Sequence, residues 1–471
     1  MLYLHRQQHE KGDLQASSAK YSMPSSARGA TILYLLLSPP SSSSSSSTQS
    51  SGFLSPERIE RKSSMMNDGS MSTLFPPNSK FHPNQNGLSK RRRWLVVDFD
   101  GTCTEHDTTP LLPRLAAFAT RTRSSMSKSA VGAGKDDATN NEGYNHQQDL
   151  QKRLDQFQLL EDDFMKRYGE ARSNMFSNDD DDDDDDSSTT LYDVLDALDE
   201  PSTIVTGMVS ASRCLSGLGH ADTEEVEEML NLHGLSETHN ARESTTLENE
   251  SNREDHSDDR VVVRLRHGCE STLTRILLDD KASSNDDTHA CIGWSLAILS
   301  INWCPALIDA AVVQPVLRKR RSLLRISDAC DTEVPIWSNE VDIDGVVTLH
   351  VPGALAKRDR ILELRRHIKQ EDCDETQKSM IIYVGDSSTD LAALLVADVG
   401  IVMGNSSSLI KIAESWGVEI APLKDRNEHG FQNLARNDTS EGSAEKKILW
   451  QVDTWQEIDE ALQEIDEQWQ T

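Results

Sequence analysis

The sequence is poor in apolar residues and has no long apolar run. Only 36% of its 471 residues are hydrophobic and the mean hydropathy is −0.56, so much of the chain cannot belong to a packed core. No stretch approaches the roughly 20 apolar residues that cross a membrane. The apolar segment "ATILYLLL", residues 30–37, is too short and too far from Met1 for an ordinary signal peptide. We therefore expect no membrane partner.

Paired cysteines and an excess of positive charge are also missing. The seven cysteines are odd in number and widely spaced, and no C-x-x-C occurs, which is typical of reduced thiols rather than disulfides or a zinc site. The formal net charge is −30, whereas a general nucleic-acid binder has an excess of basic residues. These absences indicate an intracellular protein, with the cytoplasm favoured, that does not bind nucleic acid. They leave its oligomeric state open.

The first part of the chain has a biased composition. Residues 1–90 include "SPPSSSSSSSTQSS" at 38–51 and "FPPNSKFHPNQNG" at 75–87, which predict a disordered N-terminal region. The first 60 residues are rich in Ser and Arg and poor in acid, as in an organelle transit peptide. A plain disordered tail has the same composition, so mitochondrial or plastid targeting stays open beside a cytoplasmic location.

Short apolar runs alternate with helical patterns in the segments 91–107 and 286–471. The runs include "WLVVDFD" (94–100), "SMIIYVGD" (379–386) and "DVGIVMG" (398–404). Continuous apolar runs of this length are typical of parallel strands that are buried on both faces. Their alternation with helices predicts an α/β fold, a Rossmann-like parallel sheet built from both segments.

The intervening residues, 108–285, have a different pattern. Six apolar residues at steps of three and four predict an amphipathic helix: Leu150, Leu154, Phe157, Leu160, Phe164 and Tyr168. We expect a mostly helical cap here, interrupted by disordered acidic insertions at about 121–146, 174–190 and 236–260.

Two aspartates, Asp98 and Asp100, follow the first apolar run directly. Side chains two residues apart on a strand point the same way, and the carboxyl ends of parallel strands face the ligand crevice of α/β proteins. Burying two unpaired carboxylates is very costly. We therefore expect a metal ion and a lysine beside them.

A second acidic pair follows a later run. "YVGDSSTD", residues 383–390, places Asp386 directly after a strand and Asp390 one helical turn further on. Asp98, Asp386 and a backbone carbonyl would make an all-oxygen site of the kind that Mg²⁺ prefers.

Three further residues suit a phosphate site. Lys357 is expected to neutralise the acidic cluster. Its alternative role is that of a solvated residue at the start of a helix. Ser300 ends the run "LAILS" before a helix that opens at Pro305, where a hydroxyl and free backbone N–H groups favour phosphate binding over a plain helix cap. Thr102 is a candidate phosphate contact, or else caps the next turn.

These groups fit phosphoryl transfer, which depends mainly on positioning and charge compensation. Asp98 would attack phosphorus to give an aspartyl-phosphate that water cleaves. Asp100 would protonate the leaving alkoxide and then deprotonate the water.

"DFDGT" after a strand, a strand-end Ser, a later Lys and "GDSSTD" together resemble the haloacid-dehalogenase-like (HAD) hydrolase superfamily. The resemblance implies a Mg²⁺-dependent phosphatase with an aspartate nucleophile, in which the Phe99 carbonyl also binds the metal. The predicted cap is similar to the C1 cap of phosphoserine phosphatases. Asp107 stands where those proteins have an acid that senses the substrate's amino group, and a helix cap is its alternative role.

A narrower resemblance covers residues 94–120 and 291–462. "DFDGTCTEHDTTPLL" and "VDTWQEIDEAL", among other segments, resemble the phosphatase half of the plant bifunctional thiamin-salvage proteins, which implies thiamin monophosphate as substrate. We see no counterpart of their aminopyrimidine-hydrolase domain. Phosphoserine, a sugar phosphate and pyridoxal phosphate therefore stay open as substrates, as do a mutase and a catalytically silent HAD-fold binding protein.

Overall fold

The apolar runs of the sequence form the strands of this fold. The computed structural model describes residues 93–129, 139–176, 189–232, 236–237, 263–278, 293–325, 333–371, 379–428 and 447–470. The predicted disordered N-terminal region, residues 1–90, lies outside these ranges.

In chain order the first elements are β1 (Arg93–Val97), α1 (Leu112–Ser129), α2 (Thr139–Phe176), α3 (Leu191–Ser212), α4 (Thr223–Leu232), β2 (Ser236–Glu237), β3 (Val263–Arg264), α5 (Cys269–Leu278) and β4 (Trp294–Leu299). They are followed by α6 (Pro305–Ile308), a π-helical turn (Asp309–Val313), α7 (Gln314–Leu324), β5 (Ile336–Trp337), β6 (Glu340–Val341), β7 (Val347–Thr348), α8 (Ala354–Glu371) and β8 (Met380–Gly385). The last elements are α9 (Leu391–Val396), β9 (Val399–Met403), α10 (Ser407–Ser415), β10 (Glu419–Pro422), β11 (Ile448–Val452) and α11 (Trp455–Gln470).

The main sheet has seven strands in the order β10-β11-β9-β8-β1-β4-β5, and all its neighbours pair in parallel. Every residue of the central strands β1, β4 and β8 is buried, because helices cover both faces. The predicted α/β class with a Rossmann-like parallel sheet is confirmed. Gly345 lies between two short strands that form a hairpin, as β6 pairs antiparallel with β7.

The three central strands end at the same level. Val97 lies opposite Ile298 of β4 and opposite Val384 of β8, and the Asp98 N–H donates to the Val384 carbonyl at 2.9 Å. The residues that follow these strands therefore meet at one edge of the sheet.

Helices α1 to α4 form the cap side of the described chain, with α2 packed on α1 and α3. Helix α5, which we predicted in the cap, contacts β4, α7 and α11 instead. It buries an apolar face that includes Leu273, Ile276 and Leu277, and only the sheet side offers a matching surface. The cap boundary predicted at residue 285 is therefore too late.

Two of the polar contacts between the cap and the core lie beside the candidate site. The Asp199 carboxylate of α3 accepts a hydrogen bond of 2.7 Å from the Ala354 N–H, at the start of α8. The Tyr168 hydroxyl of α2 lies 3.0 Å from the Ser388 hydroxyl in the loop after β8. Both contacts end close to residues that we predicted in the active site.

The predicted insertions are only partly described. Residues 121–129 continue α1, residues 139–146 begin α2, and residues 174–176 end it, so these parts are helical where we predicted disorder. The helical period of the flanking sequence extends into them. The remaining insertion residues are outside the described ranges, apart from residues 189–190 and 236–237. Within the described residues, no helix has the length and apolar character needed to cross a membrane.

Candidate active site

Three carboxylates meet at the carboxyl edge of the sheet. Asp98 follows β1, and Asp386 and Asp390 follow β8, with one oxygen of each lying within 4.8 Å of the others. Asp98 and Asp390 are 4% and 0% exposed, respectively. The strand ends thus bring together the acids that the sequence predicted, although their separation in the chain is large.

Lys357, in the first turn of α8, lies between two of these acids. Its Nζ is 3.0 Å from Asp98 Oδ1 and donates to Asp390 Oδ1 at 2.7 Å. Burial lowers the pKa of this lysine, but the charges of Asp390 and Asp98 outweigh burial and raise it above its usual value. Lys357 is therefore a cation that neutralises part of the cluster.

Asp390 is held by several donors at once. Its Oδ1 also accepts from the Tyr383 hydroxyl at 2.7 Å, and its Oδ2 accepts from the N–H groups of Asp386 and Ser387 at 3.1 and 3.0 Å. A carboxylate with this many donors has few lone pairs left for a ligand. Asp390 therefore positions Lys357 and the loop after β8.

Asp386 lies beside the turn that follows β1. Its Oδ1 accepts a hydrogen bond of 2.9 Å from the Thr102 hydroxyl, and a Cβ atom at Gly101, whose φ is +74°, would clash with its carboxylate. Glycine is therefore required at position 101 for both reasons. The one hydroxyl proton of Thr102 is donated to Asp386, and a phosphate contact of this residue stays a prediction.

The Phe99 carbonyl, predicted to bind the metal, is occupied by the same turn. It accepts from the backbone N–H groups of Cys103 at 2.9 Å and Thr104 at 3.1 Å. These donors use its two lone pairs, and metal binding by this carbonyl stays a prediction. Within the described residues, no hydrogen bond ends on the neighbouring carbonyl of Asp100, which is thus the free backbone oxygen beside Asp98.

Asp100 is fixed by three hydrogen bonds. Its Oδ1 accepts from the Thr108 N–H at 2.8 Å and the Thr108 hydroxyl at 2.7 Å. Its Oδ2 accepts from the Asn302 side-chain amide at 2.9 Å. Burial, and then the charge of Asp107, raises the pKa of Asp100 to about 6. This value suits a group that gives and takes a proton near neutral pH.

The other two predicted phosphate or substrate residues have structural partners. Ser300 is fully buried, and its hydroxyl accepts from the Asn302 N–H at 3.1 Å, which leaves its proton available for a phosphate oxygen. Asp107 Oδ1 accepts from the Thr109 N–H at 2.8 Å, at the start of a short helix whose N-cap residue is Thr108, and its contact with substrate stays a prediction.

The acids need a cation that the described side chains do not supply. Burial, followed by the charge of Asp390, raises the pKa of Asp98 to about 7 and that of Asp386 well above its usual value. Three carboxylates with one lysine leave two negative charges. An all-oxygen donor set of this charge fits Mg²⁺.

A crevice of about 190 Å³ opens onto these groups, with Asp98, Asp100, Asp386 and Arg266 among the residues that line it. Sequence reasoning missed Arg266, Asn302 and Thr108. A signal for Asn302 was its place two residues beyond the predicted strand-end Ser300. The loop between β3 and α5 offered no such signal for Arg266, because its position depends on tertiary folding.

No family model matches the chain. The chain is similar to the bifunctional TH2 protein, mitochondrial, of Arabidopsis thaliana, with 27% identity over 201 residues. These residues are 41% of this chain and 28% of that protein, so the match spans little more than a quarter of the relative.

Among solved structures, the chain is similar to a phospho-aspartyl intermediate analogue of phosphoserine phosphatase, with 12% identity, a TM-score of 0.30, and coverage of 72% of this chain and 99% of that chain. It is similar to a HAD family hydrolase from Salmonella enterica subsp. enterica serovar Typhi, with 13% identity, a TM-score of 0.28 and coverage of 69% and 65%. A probable phosphoserine phosphatase from Vibrio cholerae has 12% identity, a TM-score of 0.24 and coverage of 70% and 61%.

At these TM-scores the structural likenesses carry no argument about activity. The sequence comparison finds the bifunctional TH2 protein, in agreement with the narrower resemblance that the motifs predict.

Proposed function

We propose that this protein is a Mg²⁺-dependent phosphomonoester hydrolase that forms an aspartyl-phosphate on Asp98. The main support is the approach of three carboxylate oxygens, from Asp98, Asp386 and Asp390, to within 4.8 Å of one another at the carboxyl edge of a parallel sheet. Such an arrangement is stable only with a cation, and it surrounds a point where a phosphoryl group can reach Asp98.

Mg²⁺ would be held by the Asp98 and Asp386 carboxylates and the Asp100 carbonyl, and when bound it supplies charge compensation for the phosphoryl group. Asp98 is the nucleophile, and Lys357, 3.0 Å from its Oδ1, favours the ionised form that attacks phosphorus. The Ser300 hydroxyl donates to a phosphoryl oxygen.

Asp100 is the general acid and then the general base. Its Oδ1 already accepts two hydrogen bonds from Thr108, whereas its Oδ2 accepts one from Asn302. Oδ2 is therefore the atom that holds the proton, gives it to the leaving alkoxide, and later takes one from the attacking water.

The substrate is a small phosphorylated metabolite, and thiamin monophosphate is the first candidate. The crevice of about 190 Å³ is smaller than typical ligand pockets of about 300–1,000 Å³, which favours a small ester. The similarity to the plant bifunctional TH2 protein supports the narrower resemblance to the thiamin-salvage proteins. Phosphoserine, sugar phosphates and pyridoxal phosphate are the alternatives.

A panel of these esters, assayed for phosphate release with Mg²⁺ and with EDTA, tests the proposal. We expect at least one ester to be hydrolysed with Mg²⁺, and the activity to be lost with EDTA and restored by added Mg²⁺. Asp98→Asn should lower kcat by about a thousandfold or more, because an amide is a poor nucleophile.

Asp359→Asn is the matched control, since this exposed aspartate of α8 is outside the crevice, and it should retain wild-type activity. Failure of every ester to release phosphate in the presence of Mg²⁺ would contradict the proposed function. Full activity of Asp98→Asn would contradict the assignment of the nucleophile.

A further inference from the structure

One cationic side chain, Arg266, opens onto the crevice beside the acids. It lies between β3 and α5, and its backbone N–H donates to the Cys103 carbonyl at 2.8 Å. This contact ties it to the turn after β1, which contains Asp100. In the described chain it is the one Lys or Arg among the residues that line the crevice.

The guanidinium of Arg266 is held in place before any ligand arrives. Its Nε donates to the Gly101 carbonyl at 2.7 Å, and its Nη2 would be 3.8 Å from a Cβ atom at Gly404, just after β9. Within the described residues, Nε is the one guanidinium nitrogen of Arg266 that forms a hydrogen bond, and the two Nη atoms form none. The Nη donors are therefore fixed in direction and free to bind an anion.

The charge balance of the crevice explains why such a donor is needed. Five carboxylates are among its lining groups, those of Asp98, Asp100, Glu105, Asp107 and Asp386. A phosphomonoester dianion is repelled by them, and Mg²⁺ compensates only part of their charge. Lys357 is fully buried and already contacts two carboxylates at 3.0 and 2.7 Å.

We propose that the Nη atoms of Arg266 bind phosphoryl oxygens of the substrate and stabilise the charge on the group as it is transferred. The inference rests on the proposed function and adds a substrate-binding residue to it. A guanidinium offers two parallel N–H donors that match two oxygens of a phosphoryl group. Arg266 forms and breaks no covalent bond and holds its own protons throughout.

Arg266→Gln is the decisive variant, because the Gln amide can still donate to the Gly101 carbonyl but has no charge. Arg264→Gln is the matched control, since it removes the same charge two residues away, outside the crevice lining. Binding of inorganic phosphate with Mg²⁺ is measured by calorimetry, with kcat and KM for a hydrolysed ester and the thermal midpoint Tm.

We expect Arg266→Gln to raise the Kd for phosphate at least about tenfold and to lower kcat/KM by about a hundredfold, as loss of a charged hydrogen bond to a ligand predicts. Its Tm should stay close to that of the wild type. Arg264→Gln should change phosphate binding by less than about twofold.

Unchanged phosphate binding in Arg266→Gln would overturn the inference, as would an effect limited to esters with a second anionic group. If the wild type hydrolyses no ester but binds phosphate through Arg266, the proposed function fails and the inference stands. If Arg266→Gln lowers Tm, phosphate binding is also measured for Arg266→Lys, which keeps the positive charge. Phosphate binding between the wild-type and Gln values supports the inference, and equal losses in both variants contradict it.

Discussion

Lys357 shows at the scale of single residues how the site is held together. It is fully buried, and its Nζ contacts both Asp98 and Asp390. The two carboxylates repel each other and have lost the solvation of water, so the lysine is the group that lets them coexist. Its contribution to catalysis and its contribution to stability therefore have one cause.

Replacing Lys357 by Met should abolish phosphate release and lower the free energy of unfolding by about 3–5 kcal/mol, because it leaves two buried carboxylates uncompensated. Adding Asp390→Asn should recover part of that stability, though not the activity. Urea denaturation without Mg²⁺ measures the free energy of unfolding of the single and the double variant. Lys369→Met, on the exposed end of the same helix, is the control. A Lys357→Met protein as stable as this control would show that the ion pairs contribute nothing.

At the scale of elements, α2 combines an apolar face with one buried acid. Phe157, Glu161, Phe164 and Tyr168 follow the helical spacing of a buried stripe, and all four are less than 10% exposed. Oε1 of Glu161 has no hydrogen-bond partner in the described part of the chain. Burial, followed by the charge of Asp107, raises the pKa of Glu161 to about 7.

This carboxyl group predicts a pH dependence of stability. Because its pKa is raised on folding from 4.5 to about 7, the folded state binds the proton more tightly, and the stability that this group contributes below about pH 4.5 is lost as the pH rises through 7. Glu161→Gln removes that loss. Its Tm should therefore exceed the wild-type Tm by more at pH 8 than at pH 5.

Thermal unfolding at the two pH values measures the difference. Asp155→Asn, at an exposed aspartate on α2, should show the same difference from wild type at both values. A Tm difference for Glu161→Gln that does not grow with pH would contradict the raised pKa.

At the scale of the whole molecule, the site is assembled entirely from one compact unit. That unit includes residues 83–471, and the groups that form the site are drawn from the loops after β1, β3, β4, β8 and β9 together with α8. Trp455 of α11 adds a hydrogen bond of 3.0 Å to the Thr102 carbonyl, so even the last helix supports the turn that contains Gly101.

A chain of residues 83–471 should therefore retain kcat/KM within about threefold of the full protein, since this corresponds to less than about 1 kcal/mol of transition-state stabilisation. Steady-state assays of both chains, with matched Mg²⁺, make the comparison. A loss of activity with unchanged circular dichroism would show that the preceding residues contribute to the site.

The alternation of short apolar runs and helices sufficed to predict the α/β class, because a strand buried on both faces needs an apolar residue at nearly every position. The same reasoning placed Asp98 and Asp386 at one sheet edge. It failed for α5, whose amphipathic pattern fits a cap helix or a sheet-covering helix equally well. It did not foresee that the Phe99 carbonyl and the Thr102 hydroxyl form hydrogen bonds of their own.

The sequence alone determined which strands exist, where they end, and which acids and lysine follow them, since these depend on local pattern. Tertiary structure decided the order of the strands and the neighbours of each strand end. It thereby placed Arg266 beside Gly101, Asn302 beside Asp100, and Lys357 between two carboxylates. Contacts of this kind depend on packing between segments that are distant in the chain, so the local sequence pattern does not predict them.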